Sequence, residues 1–206
     1  MEDNYSLAAK LLMVSGKLPG LSEGFTFYPT PTGEKVNSHT LATYLIAATI
    51  EDLKNRGIID YKEGEIKAIG GQIPVLILNR KKNEGIGFEK TFLEKLEKEK
   101  NLIDLVRDII GGMYQIPEQR LLWFIRSEFP TDKYMREETV KVMFVLSRKE
   151  TRWIPEKVAP LVEKWLPEMK SVWEKVLQLP WLKTAVRDCN FGMSSSRAME
   201  KEDDDD

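Results

Sequence analysis

The sequence TLATYLIAATIEDLKNRGIIDYKEGEIKAI, residues Thr40–Ile69, has the order of a helix followed by a hairpin. Leucine, isoleucine and alanine recur at spacings of three and four as far as Leu53, which predicts a helix that is apolar on most of its sides. Asn37 and Ser38 precede this stretch, and both are suited to cap the first turn. Gly57 is predicted to end the helix in the left-handed conformation.

The residues after Gly57 predict a small hairpin. Ile58–Tyr61 has the composition of a strand, Lys62–Glu65 that of a turn, and Ile66–Ile69 that of the returning strand. A further strand is expected over Ile73–Leu78, where Pro74 restricts it to a sheet edge or to a start at that residue. A helix followed by such a hairpin is the order of elements in a winged-helix unit. That order indicates architecture, and a function does not follow from it.

Apolar periodicity predicts helices over four other stretches, which are Tyr5–Val14, Phe88–Lys100, Leu102–Ile110 and Pro117–Phe129. A short strand is expected near Phe25–Tyr28. The prolines toward the C-terminus predict a series of short helices, and they are Pro155, Pro160, Pro167 and Pro180.

Residues Asp132–Ser147 fit either a strand or a helix. The density of valine favours a strand that ends at Leu146, followed by a charged turn over Arg148–Arg152. The fold class expected for the chain is therefore mainly α with small β-hairpins, in a compact helical domain. Winged-helix-like units are expected near residues 37–70 and 117–155.

Composition limits the classes of protein to which the chain can belong. Its 206 residues are 42% hydrophobic and 31% charged, with a net charge of −2. These values predict one globular domain over residues 1–190 and a disordered acidic tail over residues 191–206. The near-neutral charge disfavours a dedicated nucleic-acid binder but allows a local basic patch. A single cysteine, Cys189, and the lack of an apolar run of membrane-spanning length predict a cytoplasmic protein, with peripheral membrane attachment as an option.

No residue pattern indicates catalysis, so the sequence predicts a protein that is not an enzyme. His39 is the only histidine and has no second histidine or cysteine nearby, so no metal site is expected. Cys189 has no histidine partner for nucleophilic chemistry. The pairs Gly70-Gly71 and Gly111-Gly112 lack the lysine and the spacing of a phosphate-binding loop, and no cofactor is expected.

Two basic clusters are the candidate binding site, and both are predicted to lie in turns beside strands. The anion-binding candidates are Arg80, Lys81, Lys82, Arg148, Lys149, Arg152 and Trp153. We expect the six cations to form one anion-facing surface. Arginine beside tryptophan suits the interface of an anionic membrane. The same cations could contact DNA phosphates. The alternative to both is that turns between strands are polar without a binding role.

The order of elements resembles that of the Golgi phosphoprotein 3 family. The resemblance is carried by LATYLIAATIEDLKNRGIID, by FEKTFLEKLEKEKNLIDLVRDII, and by RLLWFIRSEF through MFVLSRKETRWIP, which together cover about two-thirds of the chain. It implies a mostly helical fold with two hairpins and a non-enzymatic adaptor. In that family a tryptophan and several arginines hold the headgroup of phosphatidylinositol 4-phosphate.

The family's phosphoinositide-binding residues are not retained in this sequence. Asn37 stands in the position of the tryptophan, Ile46 in that of one arginine, and Gln115 and Glu118 in those of an arginine pair. The resemblance therefore implies architecture more than lipid specificity. The expected function is an adaptor-like binding module for anionic lipid headgroups or a protein partner, with self-association into a homo-oligomer as an option. The alternative is a winged-helix regulator whose partner is a nucleic acid, DNA.

Overall fold

The computed structural model describes residues 5–21, 27–63, 74–79, 85–96, 99–110, 117–141 and 147–188. Within them the chain is mainly helical, with small antiparallel sheets of two or three strands. The helices are α1 (Leu7–Val14), α2 (Ser38–Asn55), α3 (Phe88–Lys95), α4 (Leu102–Ile110), α5 (Pro117–Arg126), α6 (Thr131–Tyr134), α7 (Pro155–Leu177) and α8 (Leu182–Asp188). The strands are β1 (Phe27–Pro29), β2 (Lys35–Asn37), β3 (Ile59–Glu63), β4 (Pro74–Leu78), β5 (Glu99–Asn101), β6 (Met135–Lys141) and β7 (Ser147–Trp153).

Helix α2 lies at the centre of the core, as its apolar sequence predicts. Eleven of its 18 residues are buried, and it packs against α1, α5, α7 and α8. Of the two predicted caps, Asn37 is the one used, because its Oδ1 accepts a hydrogen bond from the Thr40 N–H at 2.8 Å. The buried hydroxyls of Thr43 and Thr49 donate to carbonyls one turn back, so neither is left unsatisfied in the core.

The end of α2 is formed as predicted. Gly57 has φ +68°, its N–H donates to the Lys54 carbonyl at 2.8 Å, and the Ile58 N–H donates to the Leu53 carbonyl at 2.9 Å. These two bonds are those of a Schellman motif, which satisfies the last carbonyls of a helix. The chain leaves this turn directly into β3.

The strand that pairs with β3 differs from the prediction. β3 pairs with β4 in the register Ile59↔Leu78 to Glu63↔Pro74, and β5 pairs with the other side of β4. The predicted turn at Lys62–Glu65 is wrong, since its first two residues continue β3, and the predicted returning strand Ile66–Ile69 lies outside the described residues. Pairing with β4 places Leu76 in the core. Pro74 begins its strand, as predicted.

Two predicted helices are too long. α3 ends at Lys95, because Glu99–Asn101 pairs with β4 as β5. Opposite charges four residues apart in this stretch, such as Lys90 and Glu94, favour a longer helix. Each such pair stabilises a helix by only about 0.2–0.5 kcal/mol, which does not extend α3 past Lys95. Asn101 caps α4, with its Oδ1 accepting from the Ile103 N–H at 2.8 Å. α5 ends at Arg126 and not at Phe129.

The ambiguous segment after α5 contains a short helix and then a strand. Residues 131–134 form α6 and residues 135–141 form β6, so the preference for a strand is confirmed for that part. Residues 142–146 lie outside the described residues. The predicted charged turn at Arg148–Arg152 is wrong, because these residues form β7, which pairs with β6 from Met135↔Trp153 to Lys141↔Ser147. A two-stranded sheet with charged side chains on both faces has the same composition as a charged turn, so the sequence does not distinguish the two.

Between Pro155 and Leu177 the predicted series of short helices is instead one helix of 23 residues, α7. The predicted break at Pro180 is confirmed, because it separates α7 from the short helix α8. Pro155 occupies its first turn, where a missing N–H costs nothing. Pro160 and Pro167 lie inside the helix, where each proline costs about 3 kcal/mol relative to alanine. A buried stripe outweighs this cost, and its members are Val158, Val162, Trp165, Met169, Trp173 and Val176. Cys189 and the predicted tail over residues 191–206 lie outside the described residues.

We expect Leu45→Ala to lower the free energy of unfolding by about 2 to 5 kcal/mol, because Leu45 is fully buried and alanine leaves a cavity. Asn55→Ala, at an exposed position of the same helix, is the matched control and should change stability by no more than about 0.5 kcal/mol. Chemical denaturation of both variants measures the difference. Equal stability of the two would show that the buried face of α2 is assigned wrongly.

Gly57→Val should destabilise the protein by about 1 kcal/mol or more, because a β-branched side chain is strained at φ +68°. Gly57→Asn is the control, since asparagine adopts the left-handed conformation more readily than other residues with a β-carbon. Thermal unfolding should rank the wild type first, the asparagine variant second and the valine variant last. A valine variant as stable as the asparagine variant would contradict the Schellman assignment.

Candidate functional site

The described part of the predicted binding site lies on the β6–β7 hairpin, defined as residues Met135–Lys141 and Ser147–Trp153. Side chains alternate between the two faces of a strand. Arg148 and Arg152 therefore share one face, whereas Lys149 and Trp153 share the other. Arg80, Lys81 and Lys82 lie outside the described residues, so the expectation that both basic clusters form one surface stays a prediction.

The arginine face of the hairpin carries an ion-pair ladder. Arg148 Nη2 lies 2.6 Å from Glu150 Oε1, and Arg152 Nη2 lies 3.1 Å from Glu150 Oε2. Arg152 also reaches Glu138 at 3.3 Å, and Arg136 reaches the same carboxylate at 2.6 Å. Hydrogen bonds from Arg148 and Arg152 hold the pKa of Glu150 below its ordinary value. Ion pairs this exposed are weak and are screened by salt.

Trp153 does not lie on the surface, contrary to the role predicted for it. Its side chain is only 7% exposed, and its ring meets the Phe129 ring edge to face with centroids 5.5 Å apart. The Arg126 guanidinium lies 5.1 Å from the ring centroid of Trp153 and donates to the Thr151 carbonyl at 2.7 Å. Trp153 therefore fastens the base of the hairpin to the core and cannot act as its contact with a membrane.

The exposed tryptophan is Trp123 on α5, which the sequence analysis did not single out. Its side chain is 60% exposed. The signal was present in the sequence, because the buried residues of α5 recur at spacings of three and four and leave Trp123 on the opposite face. Those buried residues are Glu118, Leu121, Leu122 and Ile125. Trp123 packs edge to face on Phe124 with centroids 5.4 Å apart.

Glu128 is a partly buried carboxylate that joins the N-termini of α1 and α3. Its two oxygens accept hydrogen bonds from the Ser6 N–H at 2.9 Å, from the Ser6 hydroxyl at 2.6 Å and from the Phe88 N–H at 2.7 Å. Gly87 lies against it, and a β-carbon there would collide with the carboxylate. A carboxylate at helix N-termini satisfies donors that have no partner inside the helix.

The pKa of Glu128 is raised above its ordinary value. Burial is the main cause, and the charge of Glu89 adds to it, while the hydrogen bonds from Ser6 and Phe88 act in the opposite direction. A raised pKa in a buried carboxyl is also a property of catalytic acids. Here all the close partners of the carboxyl are helix-capping groups, which indicates a structural role.

Glu89 continues this polar network toward α2. It is almost fully buried, accepts a hydrogen bond from Arg56 Nη1 at 2.7 Å, and accepts another from the Ile86 N–H at 3.2 Å. Arg56 also pairs with Asp52 at 3.0 Å.

His39 Nε2 donates to the Val186 carbonyl at 2.8 Å, which ties α2 to α8. These groups hold elements together.

Metal and membrane-spanning features are missing from the part of the chain that the structure describes. No group of three or more histidine, cysteine, aspartate or glutamate side chains there is arranged to hold a metal ion. Among the described helices, none combines the length and the apolar character that a bilayer span requires.

We expect Glu128→Gln to lower the free energy of unfolding by about 1 to 3 kcal/mol, because the amide nitrogen would face a backbone N–H and leave a buried donor unpaired. The difference should depend on pH. A raised pKa means that the folded state holds the proton more tightly than the unfolded chain, so the contribution of Glu128 is greatest below its ordinary pKa of 4.5 and declines as pH rises through the raised value.

The measurement is the unfolding free energy of the wild type and the variant across that pH range. Glu163→Gln, at an exposed position of α7, controls for the loss of one carboxylate. A gap between wild type and Glu128→Gln that widens with rising pH would contradict the assigned direction.

A comparison with protein-family models, with curated proteins and with solved structures finds no match to this chain. The resemblance to the Golgi phosphoprotein 3 family therefore stays a prediction, and the function has to be argued from the geometry of the site.

Proposed function

We propose that this protein is a non-enzymatic binding module that attaches to anionic membrane surfaces through the β6–β7 hairpin. The observation that carries the proposal is the charge of an exposed hairpin whose base is packed into the core. Among the side chains that the structure describes on its strands, basic residues outnumber acidic residues by four to three. They are Arg136, Arg148, Lys149 and Arg152 against Glu137, Glu138 and Glu150.

The burial pattern of the hairpin supports this role. Met135 and Trp153 at its base are buried, whereas the side chains of Arg148 and Lys149 are 67% and 77% exposed. The exposed cations are thereby carried on a support that is fixed to the core. Near an anionic leaflet each such residue contributes about 1 kcal/mol of attraction.

The ion-pair ladder is compatible with binding. Arg148 and Arg152 are held by Glu150 and Glu138 in exposed pairs that are individually weak. A phosphate group offers a guanidinium two parallel hydrogen bonds, as a carboxylate does. An anionic headgroup can therefore replace a glutamate without a rearrangement of the backbone. In the free protein the glutamates hold these hydrogen-bonding groups.

The order of elements supports an adaptor-like architecture. Helix α2 followed by β3 and β4, and helices α5 and α6 followed by β6 and β7, both have the order of a winged-helix-like unit. On this proposal the two units serve as a support for binding surfaces, as in the family that the sequence resembles. The location that corresponds to this proposal is the cytoplasm, with peripheral attachment to a membrane.

DNA binding is the alternative, and the position of α2 counts against it. A winged-helix regulator inserts the helix before its wing into the major groove. Here α2 is covered by α1, α5, α7 and α8. Its C-terminal end is its most exposed part, and Glu51 and Asp52 there would repel DNA phosphates. The β6–β7 hairpin could still contact DNA phosphates, but such contacts carry no sequence information.

Co-sedimentation with vesicles tests the proposal. We expect binding to phosphatidylcholine vesicles that contain an anionic phospholipid, no binding to phosphatidylcholine alone, and weaker binding at higher salt. Arg148→Glu/Arg152→Glu should abolish it. The matched control is Lys157→Glu/Lys170→Glu on the exposed face of α7, which changes the net charge equally and should retain binding.

The same variants in a DNA mobility-shift assay at equal salt separate the two functions. Retarded DNA without vesicle binding would replace the membrane proposal with the DNA alternative. Loss of vesicle binding in both charge-reversal variants would show that net charge matters and that the hairpin is not the site.

A further inference from the structure

We propose that Trp123 is the aromatic anchor with which this protein enters the interfacial region of an anionic bilayer. This inference rests on the proposed function and adds to it the residue that contacts the lipid beneath the headgroups. Tryptophan is enriched at membrane interfaces because its ring is apolar and its indole N–H is polar. The observations below concern the outward face of α5, defined as Arg120, Trp123 and Phe124.

The outward face of α5 is aromatic and basic. Trp123 is 60% exposed, and Phe124 beside it is partly buried against the core. Arg120 lies above the Phe124 ring, with its guanidinium carbon 5.8 Å from the ring centroid. The one acidic residue of α5, Glu118, is buried on the opposite side of the helix. Within α5 no carboxylate therefore faces outward to repel lipid phosphates.

This face is adjacent to the proposed binding hairpin. Arg126 follows Trp123 by three residues, and residues three apart are neighbours on a helix surface. Arg126 in turn contacts the hairpin at the Thr151 carbonyl, at Met135 Sδ and at the ring of Trp153. Lys149 projects from the same hairpin face as Trp153. A bilayer that receives Trp123 therefore lies on the side of the hairpin that carries Lys149, whereas Arg148 and Arg152 project from its other face.

Charge and area favour a bilayer over a protein partner for Trp123. Phe27 is the other large hydrophobic side chain exposed in the described part of the chain, and it lies on a different element, β1. A stable protein interface needs roughly 800 Å² from each partner around an apolar centre. One tryptophan buries at most roughly 150–250 Å², which is well short of that area. Trp123 and its cationic surroundings match an interfacial anchor that acts together with electrostatic attraction.

The five tryptophans provide an intrinsic reporter. Trp123 is exposed, and the other four are buried, namely Trp153, Trp165, Trp173 and Trp181. Bromine atoms on lipid acyl chains quench indole fluorescence only at short range. With vesicles of brominated phosphatidylcholine and an anionic phospholipid, we expect quenching of the wild type and none of Trp123→Phe.

Trp123→Ala should weaken vesicle partitioning by roughly tenfold or more. Gln178→Ala, at the exposed C-cap of α7 and away from this face, should match the wild type.

The outcomes separate the anchor from the hairpin. Vesicle binding by the wild type with equal quenching in Trp123→Phe would overturn the anchor and leave the hairpin proposal standing. No association with anionic vesicles would overturn both. Protection of Trp123 from a water-soluble quencher as protein concentration rises, without vesicles, would replace the bilayer with a second copy of this chain. Because Trp123 is exposed, the variants should keep the unfolding temperature of the wild type.

Discussion

Because α2 buries residues on most of its sides, each of those sides has to be covered by another element, and this determines where much of the chain lies. α1, α5, α7 and α8 pack around it, and β3 continues directly from its end. The turn at Gly57 sets the direction in which the chain leaves the core. A helix so enclosed leaves little surface for recognition, so the binding that we propose is assigned to elements farther from the centre.

A polar network fixes elements that apolar packing alone would leave free to slide. Glu128 accepts hydrogen bonds from the N–H of Ser6, the N-cap of α1, and from the N–H of Phe88, the first residue of α3. Glu89 forms an ion pair with Arg56 at the end of α2. Hydrophobic burial has no direction, whereas hydrogen bonds to a carboxylate specify positions to a fraction of an ångström. The unusual pKa of Glu128 follows from this structural role, because satisfying helix ends inside the core requires a carboxyl group to be desolvated.

Local rules were sufficient where the signal lies in neighbouring residues. The Asn37 cap, the apolar faces of α2 and the stop at Gly57 follow from spacing and backbone sterics. The partner of β3 could not be predicted, because strand pairing depends on burial across the whole core. Glu128 and Ser6 are separated by 122 positions, and no periodicity connects them. Trp153 was expected at the surface and is buried. Trp123 was not singled out, although the buried stripe of α5 indicates that it faces outward.

The ion-pair ladder of the hairpin also has a structural explanation that requires no ligand. An isolated two-stranded sheet is marginally stable and exposes its edges to pairing with other chains. Charges on both faces, with Phe129 and Arg126 holding Trp153 at the base, oppose both problems. An exposed Trp123 has no such explanation, since a polar residue there would leave the buried stripe of α5 intact. The proposed membrane contact accounts for the exposure of Trp123, whereas the charges of the hairpin are explained equally well by its own stability.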